Sequence, residues 1–274
     1  MACPPRVASD VRRRTHIENS ASASSRRRLR RVLRNVEFVS TPSQKPRRLD
    51  QILSSFGYCS RSEAVRWIAD GRVRIAGANA SRPETRALLE EVLIDGEPVE
   101  CPEGLLALLH KPAGCACSRD PNERPLIYEL LPPRWSQRNP AITTIGRLDR
   151  DTTGVLLITD AGELVQRWTS PRHKVSKIYD VGVDRDLNPD IVNVFASGQL
   201  RLEGESRECL PAKLEILGPR EARLELVEGK YHQVKRMFAI QGITVIRLHR
   251  SRFGEFDLDG LAPGQWRLLP MPEA

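Results

Sequence analysis

The stretch TTIGRLDRDTTGVLLITDAG, residues 143–162, sets four charges in five positions (Arg147, Asp149, Arg150 and Asp151) directly ahead of an apolar run. The run TGVLLITD reads as a buried strand, because a short, nearly continuous apolar segment between polar turns has both faces covered. A carboxylate among guanidiniums at the mouth of such a strand has two readings. It can be half of a surface ion pair, worth about 0–1 kcal/mol. It can also be a carboxylate kept ionised by neighbouring cations, as a nucleophile or a charge stabiliser requires. Spacing alone favours the ion pair. It also leaves Asp151 in competition with Asp149, unless Asp151 serves a local turn through the backbone of Thr152 or Thr153.

Outward from this stretch, strands dominate. LLALLHKPAG is an apolar run closed by a Lys-Pro-x-Gly turn, and the segment that follows, DPNERPLIYELLPPRWSQRNP, is Pro-rich and loop-like. Asp160 is expected to cap a short helix over AGELVQRWTS, with Glu163 in its first turn. SKIYDVGVD alternates, which puts Tyr179, Val181 and Val183 on one face. AKLEILGPREARLELVEG reads as a hairpin around Gly218-Pro219, with Leu214, Ile216, Leu224 and Leu226 inward. YHQVKRMFAIQG is a helix with Val234, Met237, Phe238 and Gln241 in register and Gly242 as its stop. ITVIRLHR is a strand with Thr244, Ile246 and Leu248 on one face. Many strands, hairpins and few crossovers predict an α+β domain over residues 105–274, its sheet mixed but largely antiparallel and flanked by helices and loops.

Ahead of that domain the pattern is helical. In RRLDQILSSFGY, Leu49, Ile52, Leu53 and Phe56 fall at i, i+3, i+4 and i+7, and Gly57 ends the helix. In SRSEAVRWIADG, Ser60 and Glu63 have capping-box spacing, Ala64, Trp67 and Ile68 form the apolar face, and Gly71 closes it. RVRIAG is a strand with Val73 and Ile75 inward and Arg72 and Arg74 outward, and EVLIDGEPVE adds another around an Asp95-Gly96 turn. Residues 47–104 are therefore expected to form a small domain. Arg61, Arg66, Arg72 and Arg74 are its local basic face, unless they only solvate the surface.

Length and composition agree with two globular domains: 274 residues, 40% hydrophobic and 28% charged. No apolar run approaches the ~20 residues of a membrane span, and no apolar segment suited to secretion follows the start. The six cysteines are scattered, and the Cys115-x-Cys117 pair is too tight for a usual zinc half-site. Reduced thiols in a cytosolic-type compartment and no metal are the expectation. The net charge of +8 belongs wholly to residues 1–46, where ten Arg and one Lys face Asp10, Glu18 and Glu37. That Arg- and Ser-rich leader is expected to be a disordered basic tail. It could also be an organelle transit peptide, or the product of a start codon assigned too early.

Two resemblances sharpen this reading. RLDQILSSFGYCSRSEAVRWIADGRVRIAG resembles the S4 RNA-binding domain, which implies RNA binding through the paired-helix face and the four arginines. GRLDRDTTGVLLITDAG resembles the central motif of the pseudouridine synthases, and HKPAG, SPRHKVSKIYDV, EGKYHQVKRMFAIQG and VIRLHRSRFG resemble that family's further motifs in the same order. Within the family, the wording is most like the S4-containing members that act on small-subunit ribosomal RNA. The resemblance implies roles: Asp149 as catalytic aspartate, Arg147 filling the gap left by the displaced base, and Tyr179 stacking on the target uracil. It also implies Lys235 as the aspartate's basic partner and Leu248 as lining of the uracil pocket. His173 and His232 are read as RNA-contacting or structural.

The implied reaction breaks the N1–C1′ bond of a uridine, turns the base and rejoins it through C5. It needs no cofactor and one carboxylate; whether that carboxylate engages C1′ or C6, or assists elimination at C2′, stays open. The implied partner is ribosomal RNA, bare or in an assembly intermediate, with no membrane, and the enzyme is expected to be a cytoplasmic monomer. The alternatives are a large-subunit ribosomal RNA synthase and a non-catalytic RNA-binding protein. A hydrolase would need a second carboxylate, and Asp151 is its only close candidate.

Overall fold

Two short helices and a small sheet open the computed structural model, which describes residues 45–272. The expectation for the basic leader therefore lies outside the described residues, apart from Lys45 and Pro46. The order is β1 (Arg47–Arg48), α1 (Leu49–Ser55), α2 (Arg61–Ala69), β2 (Val73–Ile75), β3 (Ala78–Asn79), β4 (Arg86–Ala87), β5 (Val92–Ile94) and β6 (Glu97–Pro98). Leu49, Ile52, Leu53 and Phe56 are buried in a core of their own with Ala64, Ile68 and Val73. The capping box on α2 is formed: Glu63 N donates to the Ser60 hydroxyl, and Ser60 N donates to Glu63 Oε2 at 2.8 Å. Asp95 and Gly96 both have positive φ, as a tight two-residue β5–β6 turn requires.

The rest of the chain is built on a nine-stranded sheet. It comprises β7 (Leu106–Lys111), β8 (Thr143–Ile145), β9 (Thr153–Thr159), α3 (Gly162–Thr169), β10 (Lys177–Val183), α4 (Ile191–Ala196), β11 (Lys213–Gly218), β12 (Glu221–Leu226), α5 (Gln233–Ile240), β13 (Val245–Phe253), β14 (Phe256–Asp257) and β15 (Trp266–Leu268). The spatial order is β11-β12-β10-β13-β9-β7-β15, with β14 on β13 and β8 on β9. All pairings are antiparallel except β13 with β9. The fold is thus α+β: an S4-like unit, then a mixed, mostly antiparallel sheet with few helices.

Three expectations need correction. Asp160 does not cap α3, whose N-cap is Ala161 with no side-chain bond. Its carboxylate instead accepts from Leu105 N at 2.7 Å and from Arg138 Nε at 2.8 Å. Arg138 also donates to the carbonyls of Glu100 and Cys101 and lies over the Phe56 ring. A nearly buried guanidinium needs a nearly buried carboxylate, and that demand outweighs a cap. Ile246 is 70% exposed while Leu248 is buried, so the two do not share one face: a bulge pairs Gly182 with Arg247 and Val183 with Val245 and leaves Ile246 without a cross-strand partner on β10. The β11–β12 hairpin reverses one residue later than expected, at Pro219-Arg220.

The two cores meet through the segment at 134–139. A Cβ on Gly57 would stand 2.3 Å from Arg134 O, so the bare end of α1 seats on that backbone. Asn139 N donates to Ser55 O at 2.8 Å, and Glu100 binds both Arg134 and the Trp135 indole.

Candidate active site

The motif loop, residues 146–152, lies where β9 changes partners. β8 pairs β9 only as far as Ile145↔Leu157, and β13 takes the same edge at Arg250↔Gly154 and His249↔Thr153. Gly154 is demanded by that close approach, since a Cβ there would sit 2.2 Å from Arg250 O. Lys111, fully buried at the end of β7, holds the loop by donating to the carbonyls of Pro112, Arg150 and Thr152 at 2.8–3.0 Å. Burial draws its pKa below the ordinary lysine value. Arg150 closes the other side, donating to the carbonyls of Gly114, Glu123 and Arg124.

The adjacent arginines therefore do not pair with Asp149. Arg150 is occupied by backbone, and Arg147 is exposed, with no hydrogen bond or ion pair among the described residues. The partners of Asp149 are a lysine and a histidine from the other end of the sequence. Lys235 Nζ lies 3.2 Å from Oδ2 and His232 Nε2 lies 3.3 Å from Oδ1. Lys235 also donates to both oxygens of Asp151, at 2.6 and 2.9 Å. That bond holds the Asp151 carboxyl below its ordinary range. Burial pulls Lys235 down, but the two carboxylates outweigh it and its pKa is raised. One ammonium is thus shared, with the closer contact to the more exposed acid.

His232 was not singled out for this position by its sequence. It sits in the left-handed region just ahead of α5, with the exposed Tyr231 ring stacked on it at 3.9 Å. Asp149, Arg147, Tyr179, Lys235 and Leu248 all line one cleft of about 560 Å³, within the size range of small-molecule sites. Tyr179 and Leu248 are buried on adjacent strands, β10 and β13. Lys177 and Arg250 line the same cleft and were also missed. The alternation that places Tyr179 and Leu248 carries the signal for both, two residues along each strand.

The four arginines expected to contact RNA divide. Arg61 and Arg74 are exposed. Arg66 is exposed beside Asp70 at 3.7 Å. Arg72 is committed: its guanidinium makes two hydrogen bonds to Asp95 and lies 3.5 Å from the centre of the Trp67 ring. Among the described residues, no group of three His, Cys, Asp or Glu side chains could hold a metal ion.

Comparison with known proteins bears on this geometry. Residues 106–240 match the RNA pseudouridylate synthase family, and residues 47–93 match the S4 domain. The ribosomal small subunit pseudouridine synthase A of Yersinia pestis is 40% identical over 235 residues, covering 82% of this chain and 96% of that protein. The protein of the same name from Escherichia coli K12 is 39% identical, covering 82% and 97%. A crystal structure of a pseudouridylate synthase superposes with a TM-score of 0.57 at 36% identity, covering 82% of this chain and 96% of that one.

Proposed function

The chain belongs to the RNA pseudouridylate synthase family, and on that premise we propose that it isomerises a specific uridine of small-subunit ribosomal RNA to pseudouridine. The observation that carries the proposal is Asp149, held between Lys235 and His232 in a cleft that also presents Tyr179. Breaking an N-glycosidic bond builds positive charge at C1′, which a nearby ionised carboxylate stabilises or traps. Asp149 is that group. Lys235 and His232 orient it, and Asp151 holds Lys235.

A paired uridine is unreachable inside a helix, so it must be flipped out at a cost of a few kcal/mol. Stacking on Tyr179 offsets about 1–3 kcal/mol of that. The unpaired Arg147 is free to enter the gap left in the stack, and Leu248 packs beside the base. Residues 47–104 act as an RNA-binding domain, through Arg61, Arg66 and Arg74, and residues 105–274 as the catalytic domain. The small-subunit assignment rests on the names and coverage of the relatives. The site of action is the compartment where ribosomes are assembled, and the acting form is a monomer.

The test uses unmodified small- and large-subunit ribosomal RNA carrying tritium at uracil C5. Wild-type protein releases tritium from the small-subunit RNA, and Asp149→Asn releases none while still binding it. Turnover by Asp149→Asn would remove the carboxylate from the mechanism. Free uracil in the supernatant would make the protein a hydrolase, and release from large-subunit RNA alone would move the substrate. Primer extension after carbodiimide treatment then locates the modified uridine.

A further inference from the structure

Among the described residues three buried side-chain polar atoms have no hydrogen-bond partner, and two of them, Arg250 Nη2 and Thr152 Oγ1, belong to side chains that line the cleft. Leaving such an atom unsatisfied costs about 1–3 kcal/mol, and more on a charged group. Both belong to residues that border one cleft, so unspent hydrogen-bonding capacity lies directly behind its wall.

Arg250 is 1% exposed and its guanidinium is fixed in place. Nε donates to Val155 O at 2.9 Å, in the stretch of β9 that neither β8 nor β13 pairs. Arg250 is the direct cross-strand neighbour of Tyr179, and Lys177 and Leu248 share their face, two residues away along each strand. Neither Arg250 nor Lys177 forms an ion pair with a described carboxylate, so two cations stand beside Tyr179 without a counter-ion.

We propose that Arg250 binds the carbonyl edge of the flipped uracil and takes up the negative charge that develops on the ring, with Lys177 adding to the positive field. This rests on the reading of the cleft as a pseudouridine synthase site. When the N1–C1′ bond breaks, its electron pair stays on the ring, spread over O2 and O4. If a carboxylate adds at C6 instead, a π pair moves onto O4. In the first course the ring is an anion until its electrons form the C5–C1′ bond, which releases the carboxylate from C1′. In the second, the enolate pair forms C5–C1′ as the N1–C1′ pair passes to N1, so the ring stays an anion until N1 is protonated. In the first course the C5 proton then leaves and N1 ends protonated; in the second the C5–H pair also expels the carboxylate from C6, so in both product and substrate are isomers. A fixed N–H aimed at charge that appears only during reaction is the arrangement that lowers a barrier, and one such donor is worth about 100- to 1,000-fold in turnover.

Arg250→Ala tests this in the tritium-release assay with the whole protein. Turnover is expected to fall about 100-fold or more, with affinity for RNA in a filter-binding assay nearly unchanged. Guanidinium at millimolar concentration should restore about a tenth or more of the loss, and urea, which has the same shape without the charge, should not. If Arg250→Ala does not fold, Arg250→Lys carries the test. It keeps a cation but cannot hold Val155 O and reach the base together, so turnover should fall about tenfold at unchanged affinity and melting temperature. Wild-type turnover in either variant, or rescue by urea as good as by guanidinium, overturns the role of Arg250 alone. A wild-type protein that releases no tritium overturns the reading of the site, and this inference with it.

Discussion

The S4-like unit and the surroundings of the Asp149 cleft are both rich in cations, but they hold them in opposite ways. On the small unit, Arg61, Arg66 and Arg74 stand in water on short elements. Around the cleft, Lys111 is buried at 0% exposure under the motif loop, and Arg250 at 1% and the half-buried Lys177 line the cleft itself. An exposed arginine interacts weakly and is screened by salt, so it adds affinity in small, separable steps. A buried one must be fully engaged or held in reserve, so removing it disrupts a local structure or a reaction step. On the proposed reading, the same residue type therefore serves affinity in one region and reaction or loop geometry in the other.

Substitutions sharpen that contrast. The largest effect should come from Lys111→Met, which keeps the length and takes the ammonium donor from three loop carbonyls, of which Arg150 O keeps Gly114 N at 2.8 Å. At about 1–3 kcal/mol for each buried group, the melting temperature should drop by many degrees, and tritium release should collapse with it. A Lys111→Met protein with normal melting would break the comparison.

Lys177→Met should act in two directions. Burial, then the charge of Arg250, lowers the Lys177 pKa to about 8, with Glu228 opposing. Between that value and the ordinary lysine value the unfolded chain binds a proton that the fold does not, so wild-type stability rises with pH across the window. Below pH 8 the fold carries the full cost of a buried ammonium. Lys177→Met should therefore melt higher than wild type at pH 7, with the gain shrinking towards pH 10, while turnover falls. A gain that is flat in pH would remove Lys177 from this account.

The arginines of β2 and its edge separate next. Arg74→Ala should weaken RNA binding several-fold and reduce the slope of log affinity against log salt by about 1. Arg72→Ala should instead lower the melting temperature, because Asp95 and the Trp67 face lose their partner. The smallest effect belongs to Asp151→Asn. Its side chain is 71% exposed, so the pair with Lys235 is worth about 0–1 kcal/mol at neutral pH. Because the Asp151 pKa is lowered in the fold, that contribution is present above the ordinary carboxylate range and is lost as pH falls below it. Melting curves of variant and wild type should converge in acid.

Local signals in the sequence were legible where neighbours along the chain decide the outcome. The α1 stripe of Leu49, Ile52, Leu53 and Phe56, the Ser60–Glu63 box and the Asp95-Gly96 turn each depend on residues within one or two turns. Asp160 and Ile246 were misread for one reason: a partner distant in sequence overrode the local preference. Arg138 claimed the carboxylate, and a bulge against β10 turned the isoleucine outward. The site divides the same way. Asp149 is marked by its own motif, but His232 becomes its neighbour only because α5 starts over the motif loop.

The sequence by itself determined the α+β class, the order of an S4-like unit before a synthase-like domain, and the aspartate at the centre. Repeating patterns and short motifs carry that information within a few residues. Only the tertiary structure decided that His232 joins Lys235 at Asp149, that Lys235 is shared with Asp151, and that Arg250 lies buried opposite Tyr179. Those facts depend on strand register and on loops brought together across about a hundred residues, and no local preference along the chain encodes which burial leaves a donor unpaired.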